Sequence, residues 1–289
     1  YFDLFYLWFD NIRTAIITTN KNNTGQKNLK PLSNILKDAT SESHKKVSQH
    51  PFLMRYNSQD FLLEDHYLHL KELQHIYLKL SALLFLFHNK TSTNNIIELF
   101  YIEDLLCTHA NIDKDLKKLE EILNHRFDNK EELLNICPAT TAYCQYLNSI
   151  TQPESLLAHC CIRWFGDAFG GQKIKFKIMQ IIKKNAPVAF YNNALSASNL
   201  AKKINSMKES GKFNETCEAN FIKESVTAFK YHENIFNQLE KKHQDYINNK
   251  KTRNKNSSNM AMHIGAGVGI CLFIGAGIQY CSSKNSCKL

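Results

Sequence analysis

From residue 31 onward, apolar side chains recur at helical rather than alternating spacing. Leu36, Ala39, Ser43/His44 and Val47 share one face of a segment that Ser33 is placed to cap and that Pro51 ends. Asp60 to Phe87 carries Leu62, Tyr67, Leu70, Leu73, Ile76, Tyr77, Leu80 and Leu84, the pattern of a long buried helix. Two more are expected over Asp113–Phe127 and Lys130–Ile150, the second interrupted by Pro138. Thr151-Gln-Pro-Glu154 has the form of a capping box with proline in the first turn. The helix it opens runs through Gly166, Gly170 and Gly171, and its pattern continues over Ile174 to Lys183. Asn185 to Gly211 is mixed and partly irregular, and Phe221/Ile222, Val226, Phe229, Phe236 and Leu239 mark a final amphipathic helix. No alternating strand pattern competes with these segments. The expected fold is an all-α bundle.

Composition agrees and adds a detail. Ten Gly and five Pro in 289 residues are too few for the frequent turns of a sandwich or barrel. Eight of the ten glycines fall in two clusters: Gly166, Gly170 and Gly171, then Gly265, Gly267, Gly269, Gly275 and Gly277. The net charge of +9 is spread along the chain with no basic block, which excludes nucleic acid as the expected partner and leaves anionic ligands and membrane surfaces open. Nine cysteines include no C-x-x-C pair, and adjacent Cys160 and Cys161 suit neither zinc nor a normal bridge, so reduced thiols are expected. Residues 1–30 form an N-terminal extension that has no signal-peptide pattern and is given no function.

The second glycine cluster lies in residues 261–280, a run in which His263 is the one group that takes a charge near neutral pH and which is long enough to span a bilayer. A basic linker over 249–260 precedes it, and a short tail over 281–289 follows. Lys250, Lys251, Arg253 and Lys255 before the run, against Lys284 and Lys288 after it, place residues 31–248 in the cytosol. The expectation is a C-terminal transmembrane tail anchor. The endoplasmic reticulum is its expected membrane, with the mitochondrial outer membrane as the alternative. Gly265-x-Gly267-x-Gly269 has neither the preceding strand nor the βαβ unit of a dinucleotide fingerprint.

The first cluster carries the chemistry. Three glycines in six residues weaken a helix, and in exchange permit a kink and close backbone approach to something flat or bulky. Asp167 sits among them, one turn after Arg163. A carboxylate beside bare backbone suggests ordered water and proton delivery. A helix crossing with a surface aspartate explains the same residues equally well. His44 is the second lead, at the edge of an apolar face with Lys37 two turns before it.

Four separated motifs resemble the haem oxygenase family. Leu36-Lys37-Asp38-Ala39-Thr40-x-x-x-His44 is similar to its N-terminal helix, and Arg163-x-x-Gly166-Asp167-x-x-Gly170-Gly171-Gln172 to its distal helix. His75-Ile76-Tyr77 and Glu224-x-x-x-Thr227-Ala228-Phe229 match in the right order, and the tail anchor resembles the animal, membrane-bound members. The resemblance implies a haem oxygenase-like multihelical domain that cleaves haem to biliverdin, CO and ferrous iron, haem being both substrate and cofactor. It implies His44 as the iron ligand, with haem between its helix and the glycine helix. Asp167 would anchor the proton-delivering water network, with Arg163 and Gly166 beside it and Gly170 and Gly171 against the haem face. Lys37 would pair with a propionate. A second basic clamp has no clean match, Lys202 and Lys203 being the nearest. Cys161 stands where animal members usually carry tyrosine. Cys137-Pro138 is similar to a haem-responsive pair but, before a helix, is expected to be structural. Electrons would come from an external flavoprotein of the NADPH–cytochrome P450 reductase type.

Two rival readings are discriminable. Glu72-x-x-His75 and Glu240-x-x-His243 are the helical pairs a di-iron carboxylate bundle uses, although such a site needs two further inward glutamates. A non-enzymatic haem binder or sensor on the same fold is the other, and it would have no need to keep both His44 and Asp167.

Overall fold

The computed structural model describes residues 30–90, 96–97, 108–123, 135–192, 197–211 and 213–283, with backbone alone for 253–283 and for a few other helical positions. The expected N-terminal extension over 1–29 and the last residues of the tail lie outside them. The helices, numbered here in chain order, are α1 (Leu32–Ser48), α2 (Pro51–Met54), α3 (Leu63–Lys90), α4 (Thr108–Ile122), α5 (Pro138–Ser149), α6 (Pro153–Ile182), α7 (Ala189–Asn192), α8 (Ala197–Glu209) and α9 (Glu215–Ser283). No strand occurs among the described residues.

The chain divides into two compact units, Tyr1–Glu240 and Lys241–Leu289. In the first, α3 is the central helix and packs on α4, α5 and α6. Leu70, Leu73, Ile76, Tyr77 and Leu80 recur at helical spacing and are almost wholly buried. Each buried side chain of this size contributes about 1.5–3 kcal/mol, more than any local propensity in the helix. Helix α8 packs on both α1 and α6, and so spans the two helices that carry the candidate site.

Several local expectations give way to tertiary contacts. Ser33 does not cap α1: Pro31 is the N-cap, and Ser33 lies inside the helix with its N–H donated to Asn205 Oδ1 of α8 at 3.1 Å. The buried face is Leu32, Ser33, Leu36 and Thr40, with Ala39 exposed. The capping box at Thr151–Glu154 does not form. Gln152 is the N-cap of α6 without a side-chain bond, and Glu154 turns inward to accept from Asn220 Nδ2 at 3.1 Å. Helix α6 runs unbroken for 30 residues through all three glycines. Every residue from Glu154 to Phe165 is buried, and that burial outweighs about 1 kcal/mol of lost propensity per glycine.

Cys137 is the buried N-cap of α5 with Pro138 in its first turn, and its N–H donates to both Glu72 carboxylate oxygens, at 3.1 and 3.2 Å. The Cys-Pro pair is a helix start. The second unit, in its described residues, is the continuation of α9 to Ser283, and the expected linker over 249–260 is helical in backbone. Among the described residues no helix is long and apolar enough to cross a membrane; the side chains of 261–280, where the sequence places an anchor, lie outside them.

Candidate functional site

Asp167 is not a surface residue. It is 5% exposed and accepts Arg163 Nε at 3.0 Å and Arg163 Nη2 at 2.6 Å, a bidentate pair one helical turn long. The Tyr77 hydroxyl, 90 residues away on α3, donates to the same carboxylate. Burial raises the Asp167 carboxyl above its ordinary value, against the pull of Arg163 and Tyr77. Burial also opposes the Arg163 charge, but Asp167 and Tyr77 outweigh it and hold the guanidinium protonated. Gly166 makes room for this pair, since a Cβ there would lie 3.0 Å from Arg163 Nη2.

The pair is braced from behind by α7. Buried Asp115 of α4 accepts the N–H groups of Ala189 at 2.9 Å and Phe190 at 2.8 Å, fixing the start of that short helix. Phe190 then meets Tyr77 edge-on, with ring centroids 5.5 Å apart. Gln172 Nε2 donates to the Tyr191 carbonyl at 3.0 Å. Gly171 is the close-approach residue here, because a Cβ would meet the Tyr191 ring at 2.7 Å.

His44 lies on α1, half-buried, with the Phe229 ring edge-on at 6.0 Å. Burial, and after it the charge of Lys173, lowers its pKa to about 4, so the imidazole is neutral at pH 7. Lys173 sits on the same exposed stripe of α6 as Gly166 and Gly170, at i+7 and i+3. The Lys173 charge is felt at His44, so Lys173 is the point of this stripe within electrostatic range of the imidazole. Gly170 would carry a Cβ with nothing within 4 Å. A neutral imidazole is the form that can ligate a metal, and the open space at Gly170 is the kind of bare backbone a flat ligand can approach.

The remaining sequence candidates are dispersed. Lys37 is half-buried on α1, while Lys202 is exposed and Lys203 half-buried on α8. Cys161 is buried and its thiol is pushed well above the ordinary value by burial, so it supplies no acidic proton. The di-iron reading does not assemble. Glu72 is spent on the Cys137 N–H, Glu240 pairs with Arg55, His75 is exposed, and no group of three metal-ligating side chains occurs among the described residues. Glu224 accepts from Tyr146 Oη at 2.6 Å and lies 3.1 Å from His159 Nε2, a structural brace between α9 and α6.

The model of the family described as "Heme oxygenase" matches residues 30–238. The chain belongs to the haem oxygenase family. With that membership comes its coarse assignment, an oxidoreductase that degrades haem. Among curated relatives, "Heme oxygenase 1" of Pongo abelii is 28% identical over 216 residues, covering 72% of each chain. The human protein of the same description is 26% identical over 216 residues, again 72% of each. Among solved structures, heme oxygenase-1 of Synechocystis in complex with heme aligns with TM-score 0.64 at 19% identity, covering 78% of this chain and 99% of that one. At that identity it shows the fold alone.

Tyr77 and Lys173 are the site residues that sequence reasoning left without a role. Tyr77 was readable as part of His75-Ile76-Tyr77, but its aim at Asp167 depends on how α3 crosses α6. The two glycines of the Gly170-Gly171 pair predict opposite outcomes in the ligand-free haem oxygenase chain. Gly170→Ala enters open space and is expected to raise stability by about 0.5–1 kcal/mol through helix propensity. Gly171→Ala drives into a buried ring and is expected to lower it by about 1–3 kcal/mol. Paired thermal melts read both, and equal shifts would contradict the assignment.

Proposed function

We propose that this chain is an active, membrane-anchored haem oxygenase. The observation that carries it is the buried Arg163–Asp167–Tyr77 constellation on a helix with open space at Gly170, in a chain whose neutral His44 feels the charge of Lys173 on that same helix. His44 would ligate the haem iron, and bound haem supplies the iron chemistry that activates O2 for its own cleavage to biliverdin, CO and ferrous iron. Gly166 and Gly170 let the α6 backbone approach the ring. Asp167, held by Arg163 and Tyr77, orders water and passes protons to the reacting centre. Lys37 and Lys173 put positive charge beside the slot, where the two haem carboxylates need partners; Lys202 and Lys203 on α8 are further candidates.

Electrons are proposed to come from an NADPH–cytochrome P450 reductase-type flavoprotein, because nothing in the sequence resembles a flavin or nicotinamide site. The apolar run over 261–280 supports a tail anchor in the endoplasmic reticulum membrane with the first unit in the cytosol.

The test is one turnover reaction. Haem-loaded protein with NADPH and the reductase is expected to lose its Soret band while biliverdin, CO and free iron appear. Stable haem absorbance under those conditions would favour the non-enzymatic binder and end the proposal. His44→Ala is expected to displace the Soret maximum of the loaded protein; an unchanged spectrum would remove His44 as the ligand.

A further inference from the structure

Basic charge and exposed apolar surface meet on the second half of α6. No Asp or Glu lies between Asp167 and Glu209, whereas eight lysines do, so this stretch holds +8 of the chain's +9. Five of the eight, Lys173, Lys175, Lys177, Lys183 and Lys184, are on α6 or directly after it. The proposed haem chemistry uses Lys173 and leaves the other four without a task.

Helical period sorts this half of α6 into faces. Ile174 and Ile178 are buried and mark the inner one. Phe176 lies two residues from each, about half a turn round, and is 64% exposed, the most of any large apolar side chain among the described residues. Met179, one turn further on, is 44% exposed, and Ile181 near the helix end is 43% exposed. Lys175 and Lys177 flank Phe176 on either side and are half-buried, as lysines are when their stems cover apolar surface. Lys177 Nζ is held by the Ser58 carbonyl at 3.1 Å. Lys183 and Lys184 are exposed, and neither they nor Lys175 pair with a carboxylate among the described residues.

We propose that the second half of α6 docks the first unit on an anionic bilayer surface. Phe176 and Met179 enter the boundary between headgroups and acyl chains, while Lys175, Lys183 and Lys184 meet lipid phosphates and carboxylates. An apolar tip set among lysines is the arrangement by which amphipathic helices lie in that layer. Charge of a single sign over so long a stretch suits a diffuse anionic surface, which imposes no register, better than the mixed charges of a protein partner. The apolar run over 261–280, proposed above as an anchor, would tether the same chain to such a surface. The dock stands without the anchor and without haem, since its residues belong to α6 alone.

The test places a reporter at the tip of the full-length chain. Phe176→Trp is mixed with vesicles of phosphatidylcholine, alone or with phosphatidylserine, whose acyl chains are brominated near the headgroup. The emission of Trp8 and Trp164 is subtracted with the wild-type chain. In the anionic vesicles the added emission is expected to move to shorter wavelength and to be quenched. Salt at 1 M, which shortens the Debye length to about 3 Å, should relieve most of the quenching. Lys183→Gln and Lys184→Gln, both at exposed positions, should each weaken docking by about fivefold. A reporter unmoved by anionic vesicles overturns the dock, whether or not the tail carries the chain onto them. Quenching that ignores both lysine substitutions and salt overturns the role of charge. Flotation with the neutral vesicles reads the anchor separately: a chain left behind there counts against the anchor, and the anionic quenching still decides the dock.

Discussion

Asp167→Ala is expected to bind haem and to lose about two to four orders of magnitude in biliverdin formation, the usual worth of a placed proton-transfer group. Reducing equivalents should go instead to peroxidase-like oxidation of an added phenol. The structure gives two reasons to expect an effect larger than loss of a surface carboxylate. The substitution removes the acceptor of two Arg163 bonds and of the Tyr77 hydroxyl together. It also strands a guanidinium that is 7% exposed, and breaking a buried pair in this way costs about 3–5 kcal/mol. The melting temperature must therefore be read beside the rate. Asp167→Asn separates the two effects, because it keeps the shape and a neutral acceptor for Tyr77 while removing the charge. It should fold with a smaller penalty and still lose most of the biliverdin yield. Full activity in either variant would contradict the proton role, and Tyr77→Phe should fall between wild type and Asp167→Asn.

The helices were legible because burial follows period: Leu70, Leu73, Ile76, Tyr77 and Leu80 of α3 are as buried as their spacing requires. The candidate site was half legible for the same reason. Arg163 and Asp167 are neighbours by helical spacing alone, so their pairing was implicit in the sequence. What reaches them from other elements was not. Tyr77 arrives from α3, and the α7 brace depends on Asp115, a residue that in sequence is one more charge in a lysine-rich helix. Helix ends were legible least. Ser33 and the Thr151–Glu154 box have the right residue types, yet Asn205 and Asn220 intervene from distant helices. Capping rules weigh local competition at about 1 kcal/mol, and one tertiary hydrogen bond is enough to overturn them. Glycine showed the converse. Gly170 and Gly171 are adjacent and identical in sequence, and the structure gives one to open space and the other to a tyrosine ring.

Three buried histidines, His66 and His69 of α3 and His232 of α9, carry the second large prediction, a steep loss of stability in mild acid. Burial holds His66 near pKa 3, and His232 is held near 3 by burial and by the Arg163 charge. His69 is lowered well below the ordinary value by the same two causes. An unfolded chain protonates each near pH 6.5, and the folded chain does not, so the unfolded state binds more protons as pH falls. Stability is therefore complete above pH 6.5 and is lost progressively below it, down to about pH 3 for His66 and His232. Each histidine removes about 1.4 kcal/mol per pH unit, or about 2 kcal/mol by pH 5. Two such groups remove about 4 kcal/mol and His69 adds to the loss, against about 5–15 kcal/mol for a whole domain. Asp167, whose carboxyl is raised by burial, works in the opposite sense, because the folded chain takes up its proton at higher pH than the unfolded one, and offsets a part. Urea unfolding of the ligand-free chain between pH 7.5 and 5 should show the slope directly. His232→Leu should flatten it by about one proton's worth, because a leucine has nothing to protonate in either state. A profile that stays level to pH 5 would mean that these imidazoles are charged in the folded chain, against the lowering that burial imposes on all three.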